Sequence, residues 1–225
     1  MTETHFNHIA GEWRPAAGGA TFEDRNPADA ADLIGAFPDS GAEDVTAAVE
    51  AVSAAWPSWA AASPEVRADV LFKAADIMAR RADDIAAELT REEGKTLTEA
   101  RMEARRIAAN FRLYAGEALR LNGESYASEA SQIVFSLRQP VGVVAVITPW
   151  NFPLSMAARK IAPALAAGNG VIFKPSEVTP LMGQRLVEVL LEAGLPPKLL
   201  ALLQGRGAAV GQAITGHAGI DAITF

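Results

Sequence analysis

The 225-residue chain contains no cysteine. That absence excludes disulfides, thiolate metal sites and a cysteine nucleophile drawn from these residues. Histidine is nearly as scarce: His5, His8 and His217 stand apart, so no metal centre is expected. Basic charge is not in excess. Twenty Lys and Arg residues face 27 Asp and Glu, and the net charge of −7 speaks against a nucleic-acid surface. The apolar stretch 141–147 is far too short to span a bilayer, and no membrane partner is expected. The start, MTETHFNHIAGEW, lacks the basic-then-apolar pattern of a secretory signal. The cytoplasm is the simplest compartment left. What is present is hydrophobic in 50% of positions, enough for a core in one large domain or two small ones.

Periodicity divides the chain. Residues 5–40 hold short apolar pieces broken by Gly18-Gly19, Asn26-Pro27 and Pro38, which reads as an edge hairpin or arm. From Ser40 the spacing is helical: Val45, Val49, Val52 and Trp56 share a face, and Pro57 is expected to end the run. Ser63-Pro64-Glu65 predicts a helix start with Ser63 as N-cap, and Gly94 predicts its C-cap. A further helix is expected over roughly 96–120. After Gly123 the period changes. Residues 132–137 and 141–147 read as strands. Then helix 153–167, strand 170–174, helix 180–193, strand 199–203, helix 207–216 and strand 220–225 alternate. These later strands are apolar throughout, as in a parallel sheet buried on both faces. The fold class is therefore α/β: a Rossmann-like parallel sheet with flanking helices, preceded by a mostly helical region. The divisions fall at 1–122 (arm and helices), 123–140 (a hairpin of oligomerisation type) and 141–225 (the βα units). No GxGxxG follows the first parallel strand; Gly205-Arg206-Gly207, with Gly211 beyond, is the nearest substitute.

The chemistry-bearing stretch is 147–177, ITPWNFPLSMAARKIAPALAAGNGVIFKPSE. It places polar groups at the carboxyl ends of two successive strands, where open α/β sheets bind ligands. Asn151 is either an N-cap for the helix that Pro153 opens or an amide able to donate to an oxyanion. Lys174, Ser176 and Glu177 are either a strand-ending turn or ligands for ribose hydroxyls. Arg159 lies eight residues past Asn151, about 12 Å along a helix at about 1.5 Å per residue. Arg159-Lys160 is either a solvated basic pair or a carboxylate site.

This stretch, with the IAGEW and NPAD arm, EEGKTLTEAR, QPVGVVAVITPWNFP, AGNGVIFKPSEVTP and DAITF, closely resembles the aldehyde dehydrogenase superfamily. The resemblance covers essentially the whole chain. Gly170 departs from it, since a β-branched residue is common there. The resemblance implies that Asn151 lines an oxyanion hole and that Lys160 assists proton movement. Arg159, Phe152 and Met156 would line the aldehyde tunnel. Ile147, Thr148, Pro149, Trp150, Lys174, Ser176, Glu177, Gly207, Gly211 and Phe225 would meet the cofactor. A carboxylate at Glu177 repels a 2′-phosphate, so NAD is expected, with NADP as the alternative. Many members with hydrophobic substrates carry an aromatic where this chain has Arg159. Members acting on succinate semialdehyde, and some acting on small hydroxyaldehydes, carry the Arg-Lys pair. A small semialdehyde with a carboxylate is thus the expected partner. Succinate semialdehyde leads, with a small hydroxyaldehyde or 2-oxoglutarate semialdehyde as alternatives. A homodimer or homotetramer is the expected assembly.

The family's nucleophilic cysteine and general-base glutamate lie beyond Phe225, where similar sequences continue TGS. The chain reads as the front part of such an enzyme. The rival is a non-catalytic nucleotide-binding or oligomerisation module. In either case residues 1–225 alone should give no aldehyde-dependent NAD(P)H, because removing a nucleophile leaves little of the rate enhancement. Turnover above the blank with any aldehyde would overturn this.

Overall fold

The computed structural model describes residues 3–129 and 131–225. The arm forms two hairpins, not the one expected. In the first, β1 (Asn7–Ile9) and β2 (Glu12–Arg14) pair antiparallel; in the second, β3 (Thr21–Arg25) and β4 (Leu33–Pro38) do so. The first hairpin is drawn onto the main sheet by buried polar side chains. Asn7 donates to the Ser40 hydroxyl at 2.8 Å and accepts the Gln204 N–H at 2.8 Å, and His8 Nδ1 meets the Leu200 carbonyl at 2.9 Å.

Three long helices follow: α1 (Ala42–Ala60), α2 (Pro64–Glu93) and α3 (Leu97–Ala118). Pro57 does not end α1. It removes only its own N–H, and the Ala61 N–H still closes the last turn on the Pro57 carbonyl at 3.1 Å. Ser63 occupies the N-cap position of α2, but its hydroxyl accepts no helix N–H. Gly94 ends α2 at φ +89°, a left-handed conformation that glycine adopts without strain. Thr96 and Glu99 then cap α3 reciprocally. The strand expected over 132–137 shrinks to β6 (Val134–Phe135), paired with β5 (Ser125–Tyr126). Neighbouring residues find no partner strand, and Ile133 and Leu137 remain 89% and 68% exposed.

The alternating half holds β7 (Val143–Ile147), α4 (Pro153–Ala166), β8 (Gly170–Lys174), α5 (Pro180–Glu192), β9 (Leu200–Leu202), α6 (Gln212–Thr215) and β10 (Ala222–Thr224). The helix expected over 207–216 is split. Its first part, Gly207–Gly211, is a π-helical turn, in which the Val210 and Ala209 N–H groups both reach the Arg206 carbonyl. The sheet runs β10-β7-β8-β9-β1-β2, with the four later strands parallel. Val144, Val146, Val171, Phe173, Leu200 and Leu202 join the core of α2, α3, α4 and α5. Val143, Ala145, Ile172, Ala201 and Leu203 join that of α1 and α6. Both faces are covered, which is why these strands are apolar without alternation. Gly170 also acquires a reason: Val52 and Trp56 of α1 occupy the space where its Cβ would sit. Because β8 and β9 succeed β7 on one side and β10 returns to the other, the strand order reverses at β7. That is the place where open α/β sheets leave a crevice.

One buried acid pair links the second hairpin to α2 and α5. Glu92, at the end of α2, accepts the Leu181 and Met182 N–H groups in the first turn of α5. Asp24 of β3 is buried against it. Burial pushes both carboxyls up, and their mutual repulsion adds to the effect on Glu92; Asp24 rises to about 7 despite the nearby Arg91 charge. An acid whose pKa is higher folded than unfolded stabilises most below its unfolded pKa, and that contribution is lost as pH rises through the folded value. Stability should therefore fall between about pH 4 and 7, by on the order of 2–4 kcal/mol. Asp24→Asn should flatten that fall. Denaturant melts at closely spaced pH values test this, and an unchanged slope in the variant would refute it.

Candidate active site

The loop 148–152 leaves β7 at the reversal point. The Thr148 N–H holds it beside β8 by donating to the Lys174 carbonyl at 3.2 Å. Pro153 opens α4 without an N–H, leaving the next amides of the first turn to be satisfied. Glu103 of α3 does this. One of its oxygens accepts the Leu154 and Ser155 N–H groups at 3.1 and 3.0 Å. Its other oxygen pairs with the Lys95 ammonium at 2.6 Å. Lys95 in turn donates to the Asn151 carbonyl at 3.0 Å and sits 4.4 Å above the Phe152 ring. An ion pair from the helical region thus secures the α4 end of the loop, while the Thr148 backbone bond secures the β7 end.

This arrangement disposes of one reading of Asn151. The cap position of α4 is Phe152, and Glu103 does the capping. The Asn151 side-chain amide makes no hydrogen bond among the described residues. It opens into a cavity of about 360 Å³ shared with Lys95, Met102, Arg106, Phe152 and Ser155. A second cavity, of about 210 Å³, adjoins it and is lined by Arg106, Phe152, Ser155, Met156 and Arg159. Asn151, Phe152, Met156 and Arg159 are therefore brought to one side of α4. Lys160 is half-buried and lines neither cavity.

On the other side of the loop, Lys174 is buried at the end of β8. Its ammonium donates to the Pro175 carbonyl at 3.0 Å and to Glu177 at 3.2 Å. Burial lowers the Lys174 pKa, and the Glu177 charge raises it part of the way back. The other Glu177 oxygen accepts the Gly207 N–H at 3.4 Å, and Gly211 closes the same π-helical turn. Ser176 serves the turn itself, accepting the Val178 N–H at 3.2 Å. Trp150 and Glu177 share a cavity of about 450 Å³ with the Asp24–Glu92 pair. Ile147 ends β7, Pro149 is exposed, and the Thr148 hydroxyl is buried without a partner. Phe225 follows Thr224, which pairs in register with Val146, so it stands beside Ile147 at the same sheet end and is 88% exposed.

Sequence reasoning missed Lys95, Glu103, Arg106 and Glu92. A signal existed for the two acids. Glu103 falls in the buried stripe Ala100, Ala104, Ile107 and Phe111, and Glu92 continues the stripe of Ile85 and Leu89. A carboxylate on the apolar face of a helix requires a partner.

A doubly covered parallel sheet with its polar loops gathered at the strand-order reversal defines a ligand-binding α/β protein. Residues 13–225 match the model of the aldehyde dehydrogenase family, and the chain belongs to that family. It is 42% identical over 223 residues to the alpha-ketoglutaric semialdehyde dehydrogenase of Bacillus subtilis strain 168, covering 99% of this chain and 46% of that protein. It is 37% identical to the 2,5-dioxopentanoate dehydrogenase of Saccharolobus solfataricus, covering 98% of this chain and 46% of that one. Among solved structures, PnpE in complex with nicotinamide adenine dinucleotide superimposes with a TM-score of 0.95 at 35% identity, over 97% of this chain and 45% of its own. The chain spans about half the length of the curated relatives it matches.

The Lys95–Glu103 pair generates a stability prediction. Glu103→Ala removes the nearest counter-charge of Lys95, leaving it Glu93 at 3.7 Å, and leaves two helix amides unpaired, which should cost about 2–4 kcal/mol. Glu103→Gln retains an acceptor for the amides and should cost distinctly less. Urea unfolding measures both. A loss under about 1 kcal/mol for the alanine variant would show that the pair does not hold the loop.

Proposed function

We propose that these residues supply the cofactor-binding and oxyanion-stabilising part of an NAD-dependent aldehyde dehydrogenase, with the nucleophile coming from sequence outside them. The substrate is a short semialdehyde bearing a distal carboxylate. The observation that carries the reading is the pair of adjoining cavities, one holding the uncommitted Asn151 amide and the other the Arg159 guanidinium. Arg159 has no ion-pair partner among the described residues. In this arrangement the Asn151 amide donates to the aldehyde oxygen as negative charge gathers there, and Arg159 takes the far carboxylate. Phe152 and Met156 pack against the stem between them. The names of the relatives favour the five-carbon 2-oxo semialdehyde over succinate semialdehyde.

The residues present fit a dinucleotide. Lys174 and Glu177, joined at the end of β8, suit ribose hydroxyls, and the unpartnered Thr148 hydroxyl faces the same strand end. The Lys174 ammonium is already committed to Glu177 and Pro175, so it is poorly placed to neutralise a 2′-phosphate, which supports NAD over NADP. The amides at the starts of α4 and α5 are taken by Glu103 and Glu92, so a pyrophosphate must lie elsewhere, consistent with the missing GxGxxG. NAD, when bound, accepts the hydride. The exposed apolar residues of the β5–β6 hairpin support assembly into a homodimer or homotetramer.

In the catalytically complete protein, Asn151→Ala should lower kcat by about 10²–10³-fold, the usual effect of removing one oxyanion donor. Arg159→Ala should raise KM for carboxylated semialdehydes far more than for a neutral aldehyde of equal length. Steady-state kinetics on both substrate types test the reading. Equal effects of Arg159→Ala on the two would remove the carboxylate assignment while leaving the dehydrogenase reading intact.

A further inference from the structure

The helix α3 carries four arginines, Arg101, Arg105, Arg106 and Arg112. Three of them reach back to acids of α2: Arg101 and Arg105 approach Asp83 at 3.4 and 3.3 Å, and Arg112 meets Asp76 at 2.8 Å. Arg106 alone among the four has no ion pair among the described residues. It points to the other side of α3, toward α4, where it lines both cavities described above. The acids near it are already engaged. Glu103 is held by Lys95 and the α4 amides, Glu99 by the Thr96 cap, and Glu93 lies 3.7 Å from Lys95. The cavity of about 210 Å³ therefore faces two guanidiniums from two different helices, Arg106 and Arg159, with no protein anion between them. Both residues are exposed, so water screens their mutual repulsion and the pair stays open to an incoming anion.

We infer that Arg106 is a specificity-determining residue, and that with Arg159 it forms a subsite for a 2-oxo carboxylate. The inference rests on the semialdehyde reading above and deepens it. A single guanidinium saturates a simple carboxylate through its two-pronged face. A second one, arriving from another helix, matches an end group with a further acceptor beside the carboxylate, namely the carbonyl of a 2-oxo acid. Apart from Ser155, the rest of this small cavity is lined by Phe152 and Met156, suited to a short methylene stem.

The test uses the catalytically complete protein with Arg106→Met, Arg106→Lys and Arg159→Ala, after thermal melts confirm that each variant folds. Three substrates are compared: 2-oxoglutarate semialdehyde, succinate semialdehyde and butanal. Arg106→Met should lower kcat/KM for the 2-oxo substrate at least about tenfold more than for succinate semialdehyde, with butanal losing least of the three. Arg106→Lys should restore little, because an ammonium is a point charge without the planar fork. An equal loss on both carboxylated substrates, or none, overturns the inference. If Arg159→Ala separates carboxylated from neutral substrates while Arg106→Met separates nothing, the role of Arg106 falls alone. If neither variant separates them, the carboxylate reading falls with it.

Discussion

The Glu103 carboxylate at the start of α4 is the contact on which the arrangement of this molecule turns. A helix that begins directly after a strand leaves several amides without partners, and its macrodipole concentrates positive potential there. Glu103 answers both with one oxygen on two amides, and spends its other oxygen on Lys95. The opposite end of α4 is handled in the same way. Trp59 donates to the Leu165 carbonyl at 2.9 Å and Arg67 to the Ala166 carbonyl at 3.0 Å. The central crossover helix is therefore fastened at both termini by side chains from α1, α2 and α3. The loop bearing Asn151 inherits its position from that fastening, since Lys95 holds the Asn151 carbonyl directly.

Glu92 repeats the device at α5, from the end of α2. Two crossover helices of a doubly wound sheet thus have their amino ends closed by internal carboxylates. In many such folds that end is where a phosphate sits. On the proposed reading the ligand-facing chemistry is carried by side chains instead: the Asn151 amide, the Lys174–Glu177 pair and the guanidiniums of α3 and α4. The helical region before the sheet is consequently part of the site's construction. Its side chains decide which backbone groups remain available.

Much of this architecture is legible in the sequence. Apolar strands without alternation announce a sheet covered on both faces, and Pro153, Gly170 and Pro180 punctuate the units close to where the structure begins them. Strand order is not legible, because β10 returning beside β7 depends on packing across the whole sheet. Short-range signals also misled where a residue's cost was smaller than expected. Pro57 loses one hydrogen bond near a helix end and is tolerated. The π-helical turn at Gly207–Gly211 is a matter of backbone hydrogen-bond spacing, and no side-chain pattern states it. For the site, the motif residues after β7 and β8 were visible. Their supports were not, because Lys95 and Asn151 are separated by 56 positions. Only the buried acids on apolar stripes hinted that something distant was being capped.

A division of labour among charges follows. The carboxylates Glu92 and Glu103 are consumed by helix amides, and Asp76 and Asp83 by the outward arginines of α3. Surface pairs of the latter kind contribute little to stability, but they do orient the helix, and they leave one of its arginines unmatched on the side that faces α4. Charges that are matched inside the chain explain the fold. The unmatched guanidiniums of Arg106 and Arg159, set beside an unmatched amide at Asn151, have no structural use among the described residues. Buried polar groups are nearly always paired inside a fold, whereas Asn151, Arg106 and Arg159 are exposed and remain open to a ligand. On the proposed reading, the spacing of those free groups along one side of α4 suits a small molecule with an electrophilic carbonyl at one end and negative charge at the other.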